Sequence, residues 1–250
     1  MVKIRRWTKS VATLCATLAA CGLAPRVDAQ GVRIHMHTDE GYAADGALFK
    51  PSGEAPFAAV VLVPDERGIA ARVVGTAARL EQAGYVVVAV DLNRGMPAAA
   101  ATRSDEQALH DLGAALAFLA QQPDVRPGDV GVLGFGSGAR YALKLAVQSN
   151  VRAVAIRDIA LAEDVLKLGA PRAAVLASFA GHDPRESHAA IRAFADRQRR
   201  LKNPLDYQIY ADASAGFDDP EDVVHYRQSD AEDLERRTRD FFSARLGSAP

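Results

Sequence analysis

From Val32 onward, apolar and polar positions follow two periods that take turns along the chain. Val32, Ile34 and Met36 fall on one side of a period-2 pattern, with Arg33, His35 and His37 on the other, which predicts a half-buried strand. Further strand-length runs lie at Ala58–Val63, Tyr85–Val90, Val130–Leu133, Ala153–Ile156, Ala173–Phe179 and Leu205–Tyr210. Between them the apolar spacing becomes helical. Val73, Val74, Ala77, Leu80 and Ala83 share a face that stops at Gly84, and Leu109, Leu112, Leu116 and Leu119 share another. Helices are also predicted over Arg140–Ser149 and His188–Lys202, and a last one carries Leu234, Phe241, Phe242 and Leu246. Ser104-Asp-Glu-Gln107 and Ser229-Asp-Ala-Glu232 have the spacing of capping boxes and mark two helix starts. Buried strands separated by helices imply βαβ units. The expected fold is α/β, a doubly wound and mainly parallel sheet with helices on both faces, in one domain over residues 32–246.

The first thirty residues break this pattern. Lys3, Arg5, Arg6 and Lys9 precede an uncharged run from Val11 to Ala24. That run is about fourteen residues, short of the roughly 20 a bilayer-spanning helix needs. A basic start before a short apolar run is the signature of a secretory signal peptide. Residues 1–29 are therefore expected to be removed after Val27-Asp28-Ala29. The alternative is cleavage before Cys21, where Leu18-Ala19-Ala20-Cys21 resembles a bacterial lipobox and Cys21 would carry lipid. Either way the expected location is outside the cytoplasm: periplasmic, secreted or lipid-anchored to the envelope.

Composition narrows the choices further. The 250 residues are 49% hydrophobic and 24% charged, with a net charge of −1, enough apolar matter for a core and no basic surplus for nucleic acid. Residues 1–20 hold four positive charges, and Arg26 cancels Asp28, so either mature form would carry −5. Both cysteines, Cys15 and Cys21, lie in the export segment, which leaves the body without thiol chemistry or a disulfide. His35 and His37 share a strand face but have no third ligand nearby, so no metal is expected. No glycine-rich dinucleotide fingerprint or phosphate-binding lysine motif appears, and no cofactor is expected.

One motif carries chemistry. Gly134-Phe-Gly-Ser-Gly-Ala-Arg140 follows a strand and precedes a helix, the setting of a nucleophile elbow. Together with Asp129–Phe135, Gly181-His-Asp-Pro184, the Tyr210…Gly216-Phe217 segment and the terminal Phe241-Phe242, it resembles the dienelactone hydrolase family of α/β-hydrolases. In that register the nucleophile position is Gly136, the acid is Asp183, and the histidine position is Ala215. A further family acid after the Ala58–Val63 strand corresponds to Asp65, with Glu66 beside it.

The resemblance therefore implies a hydrolase scaffold with two of its three triad members gone. Loss of an essential triad member costs about 10⁶ in turnover. Ser137, one place beyond the nucleophile position, is expected to cap the following helix; its alternative role is a substitute nucleophile with His225 as base. What remains is an anion-friendly elbow formed by Ser137 and Gly138, with Asp65 beside it. Three functions stay open. The first is a non-catalytic exported domain binding a small carboxylate or a partner protein at the old site. The second is a weak ester, lactone or thioester hydrolase using Ser137, and the third a structural envelope protein.

Overall fold

The computed structural model describes residues 31–38, 41–96, 104–203 and 205–247. The expected signal peptide and Cys21 lie outside them. Eight strands form one sheet: β1 (Val32–His37), β2 (Ala43–Phe49), β3 (Phe57–Val63), β4 (Tyr85–Val90), β5 (Val125–Phe135), β6 (Ala153–Arg157), β7 (Ala174–Ala180) and β8 (Leu205–Tyr210). Six helices accompany them: α1 (Ala71–Gln82), α2 (Asp105–Ala120), α3 (Ser137–Gln148), α4 (Glu163–Leu166), α5 (His188–Arg200) and α6 (Gln228–Leu246). The strand order is β1-β2-β4-β3-β5-β6-β7-β8. β1 and β2 are antiparallel to their neighbours, and every pairing from β4 through β8 is parallel. This is the mainly parallel α/β-hydrolase architecture expected from the sequence.

The central strands read as unbroken apolar runs because both faces are covered. Every residue of β3 and β4 is buried, each large side chain contributing about 1.5–3 kcal/mol. One face packs Val61, Val88 and Val132 against Leu112 of α2 and Leu143 of α3. The other packs Val60, Val87 and Leu133 against Leu80 of α1 and Phe242 of α6.

Local signals fared unevenly. The Ser104 capping box forms: the Gln107 N–H donates to Ser104 Oγ at 3.1 Å, and the Ser104 N–H to Gln107 Oε1 at 3.0 Å. The box expected at Ser229 does not. α6 begins at Gln228 after Arg227, with no side-chain cap. The Arg227 N–H is held by the Phe217 carbonyl at 2.9 Å and its guanidinium by Asp230, so the chain enters the helix before Ser229 is reached. In β1, the alternation is only partly used, since Met36 is buried while Val32 is 63% exposed at the sheet edge. β2 escaped the sequence pattern because Asp45 and Gly46 interrupt its apolar positions.

Candidate active site

In open α/β sheets, ligands bind at the carboxyl ends of the strands. At that end, β5 stops at Phe135 and α3 starts at Ser137, leaving Gly136 alone to turn the chain at φ 50° and ψ −119°. Residues with a Cβ are strained there. The Gly136 N–H donates to the Arg157 carbonyl at 2.9 Å. A Cβ at Gly138 would lie 2.2 Å from the Pro64 carbonyl oxygen, so α3 meets the end of β3 only with glycine at that place. Gly136 is thus the residue at the point of the turn, and the position offers no side chain.

Ser137 is the first helical residue and not the cap, a role that falls to Gly136. The hydroxyl of Ser137 donates to Glu66 Oε2 at 2.9 Å. Its hydrogen bond therefore goes to a carboxylate and not to an imidazole. His225, the candidate base, lies in the long loop after β8, where Nδ1 pairs with Asp222 at 2.8 Å. Ala215 sits half-buried in the same loop. Phe135, which precedes the turn, is fully buried. The guanidiniums of Arg72 and Arg157 stack on its ring at 5.0 and 5.5 Å.

The two acids singled out in the sequence, Asp65 and Asp183, are held in the same way. After β3, the Arg67 N–H donates to Asp65 Oδ1 at 2.9 Å and its guanidinium NH2 to Oδ2 at 2.9 Å. After β7, the Arg185 N–H donates to Asp183 Oδ1 at 2.9 Å and its NH2 to Oδ2 at 2.6 Å. Each acid thus grips the arginine two residues on. For Asp183, burial raises the carboxyl's pKa, but the fork from Arg185 and its backbone N–H outweigh burial and leave it below the ordinary value. Arg67 also reaches across to Asp219 at 2.5 Å, tying the loop after β3 to the loop after β8.

Beneath these loops lies a buried ionic network. One nitrogen of Arg72 meets Asp158 Oδ2 at 2.7 Å and Asp218 Oδ1 at 2.6 Å. Arg157 meets Asp218 at 3.3 Å and Glu235 at 2.9 Å, and donates to Thr238. Burial pushes the Asp158 carboxyl upward, Arg72 opposes it, and Asp218 adds to it. Burial likewise acts to raise Glu235, but Arg157 and Arg79 pull it down to about 2.

Sequence reasoning singled out Asp65, Asp183, Ser137 and Gly136, and missed Arg67, Arg185, Asp158, Asp218 and Asp219. A repeated Asp-x-Arg spacing, Asp65-Glu66-Arg67 and Asp183-Pro184-Arg185, was the available signal. His35 is occupied by Asp45 at 2.5 Å. Among the described residues no His, Cys, Asp and Glu group is arranged to hold a metal, and no helix is long and apolar enough to cross a membrane.

Residues 44–246 match the model of the dienelactone hydrolase family. The chain belongs to that family. Within it, this member is 29% identical over 116 residues to a lactonase assigned to 2-oxo-3-(5-oxofuran-2-ylidene)propanoate from a Bradyrhizobium species. That alignment takes in 42% of this chain and 47% of the lactonase, so the chain spans about half the length of the curated relative. Among solved structures, a dienelactone-hydrolase-like promiscuous phosphotriesterase from metagenomic libraries superposes with a TM-score of 0.72 at 21% identity, covering 85% of this chain and 98% of that one. An esterase of the planctomycete Thermogutta terrifontis superposes with a TM-score of 0.70 at 13% identity, covering 90% and 98%. At these identities the dienelactone hydrolase relatives share the fold with this chain. The chemistry has to be read from its own residues.

Proposed function

We propose that this member of the dienelactone hydrolase family is an exported, non-hydrolytic domain that holds a small carboxylate in the crevice above Gly136. The observation that carries this reading is the absence of a side chain at Gly136, the residue at the point of the turn. Acyl transfer needs a nucleophile and a base within hydrogen-bond reach of each other. Here Gly136 and Ala215 supply neither.

The ligand class follows from the crevice walls. Asp65 and Asp183 no longer present free carboxylates, because Arg67 and Arg185 cover them. Arg67 is taken up by Asp65 and Asp219, so the group facing a ligand is the Arg185 guanidinium, which stays 48% exposed. Arginine is the side chain best suited to carboxylates, which it can grip with two parallel hydrogen bonds. An unsaturated lactone carrying a carboxylate, the class to which the Bradyrhizobium relative is assigned, fits this description; a partner protein offering a carboxylate side chain would use the same group. The basic start and short apolar run before residue 30 support export, with Cys21 as the anchor if the lipobox is used.

Titration calorimetry of the mature chain with small carboxylates and with their methyl esters tests the proposal. Binding of the acids, weaker binding of the esters and no ester turnover are expected. Ester hydrolysis above the uncatalysed rate that is lost in Ser137→Ala would establish the weak-hydrolase reading in its place. That reading has one point in its favour, the hydrogen bond from Ser137 to an acceptor.

A further inference from the structure

At the end of β5 remote from Gly136, the strand departs from regular pairing. Between the pairs Phe57–Val125 and Ala59–Val130, β3 advances by two residues while β5 advances by five. The surplus bulges out of β5 at Arg126-Pro127-Gly128-Asp129, with Gly128 at φ 80°. This bulge is braced from three directions. Arg126 Nε donates to Asp129 at 2.8 Å, its NH2 donates to the Leu246 carbonyl at 2.8 Å, and Arg152 pairs with the same Asp129 carboxylate. Between this bulge and α2 lies a cavity of about 220 Å³, lined by Leu116, Leu119, Val125, Pro127, Val130 and Val151 among others. A Cβ added at Gly128 would meet no atom within 4 Å.

We propose that this cavity is a second binding site, taking a small neutral molecule whose apolar body is a single aromatic ring or a short alkyl chain. Size supports that class, because an apolar cavity of about 150 Å³ admits benzene. Polarity supports it as well. The polar side chains of the lining are Arg126 and Asn150, and the guanidinium of Arg126 is already engaged by Asp129 and Leu246. A charged ligand would lose hydration without gaining a counter-ion. A peptide strand would leave its backbone N–H and C=O groups without partners on such walls. The bracing also keeps the site open before binding, so little ordering opposes the ligand. The site is independent of the crevice at Gly136, from which it is separated by the length of β5.

The experiment is methyl ¹H–¹³C NMR of the mature chain titrated with toluene and with hexan-1-ol, and with benzoate as a charged control. The expected result is a saturable set of shifts confined to Leu116, Leu119, Val125, Val130 and Val151, with no matching response to benzoate. Ala120→Phe, on the exposed last turn of α2, should fill the cavity and abolish those shifts without altering the rest of the spectrum. Leu116→Phe, one turn earlier on α2, serves the same purpose. Shifts that scatter over the surface, fail to saturate or persist in both variants would overturn the proposal. So would shifts at these methyls on raising protein concentration without probe, which would make the cavity an interface between copies of the chain.

Discussion

Asp65 stands against the place where a side chain at Gly136 would begin: a Cβ built on Gly136 would come within 3.1 Å of the Asp65 Cβ. Around that contact stand two aspartates, Asp65 and Asp183, each paired with the arginine two residues on.

Gly136→Ser should therefore cost stability without creating an esterase. A side chain at φ 50°, pressed toward Asp65, is expected to destabilise by about 1–3 kcal/mol. No imidazole is available from Ala215 to activate the new hydroxyl. Urea unfolding and 4-nitrophenyl acetate turnover check the two halves separately. A clear gain in turnover from the single substitution would contradict the reading of the site.

Ser137→Ala removes one exposed hydrogen bond to Glu66 and should change stability by no more than about 1 kcal/mol. Labelling by a fluorophosphonate probe is expected to be absent in both forms. Labelling of the native chain that disappears in the variant would mean that Ser137 is a working nucleophile.

Arg185→Ala leaves the buried Asp183 without its fork and should destabilise by about 1–2 kcal/mol near neutral pH, since half-exposed pairs are weakened by solvent. The pH dependence has a definite sign. The folded Asp183 carboxyl titrates below its ordinary value of 3.8, so its contribution is present above that value and is lost as pH falls through the lower folded pKa. The difference between native and variant chains should shrink in acid. Thermal unfolding from pH 7 down to the acid limit of folding measures it.

Arg157→Met should be the most damaging of these changes. It strips Asp218 and Glu235 of a buried counter-ion, a loss of about 3–5 kcal/mol. Glu235, held down to about 2 against an ordinary 4.5, contributes stability that is complete above 4.5 and disappears as pH drops toward 2. Native stability should fall in that window, and Glu235→Gln should flatten the fall. Chemical denaturation at several pH values distinguishes these outcomes.

The legible parts of the fold are those in which local chemistry and burial agree. β4 runs over the residues expected for it because an apolar run between turn residues has one comfortable state in a covered sheet, and β8 does so because Leu205, Tyr207 and Ile209 alternate with polar Asp206 and Gln208 as an edge strand requires. The Ser104 box forms because its two partners, Ser104 and Gln107, are three residues apart and need nothing from elsewhere. The Ser229 box has the same spacing but fails, because Arg227 is fastened to the distant Phe217 carbonyl. β2 was hidden by Asp45, whose carboxylate is taken up by His35 on the neighbouring strand.

For the candidate site, the chain by itself determined what is missing. A glycine at 136 and an alanine at 215 exclude a nucleophile and a base at those positions whatever the surroundings, because no packing can give a side chain functional groups it lacks. It also determined the turn, since glycines at 134, 136 and 138 spanning the end of β5 and the start of α3 permit a close approach that other residues forbid. Only the tertiary structure decided what the remaining charges do. Asp65 and Asp183 are bound by arginines two residues on, but whether Asp158 and Asp218 are free or arginine-bound depends on Arg72 and Arg157 arriving from α1 and β6. Electrostatic energy depends on distance and solvent access, and neither is written in the order of residues.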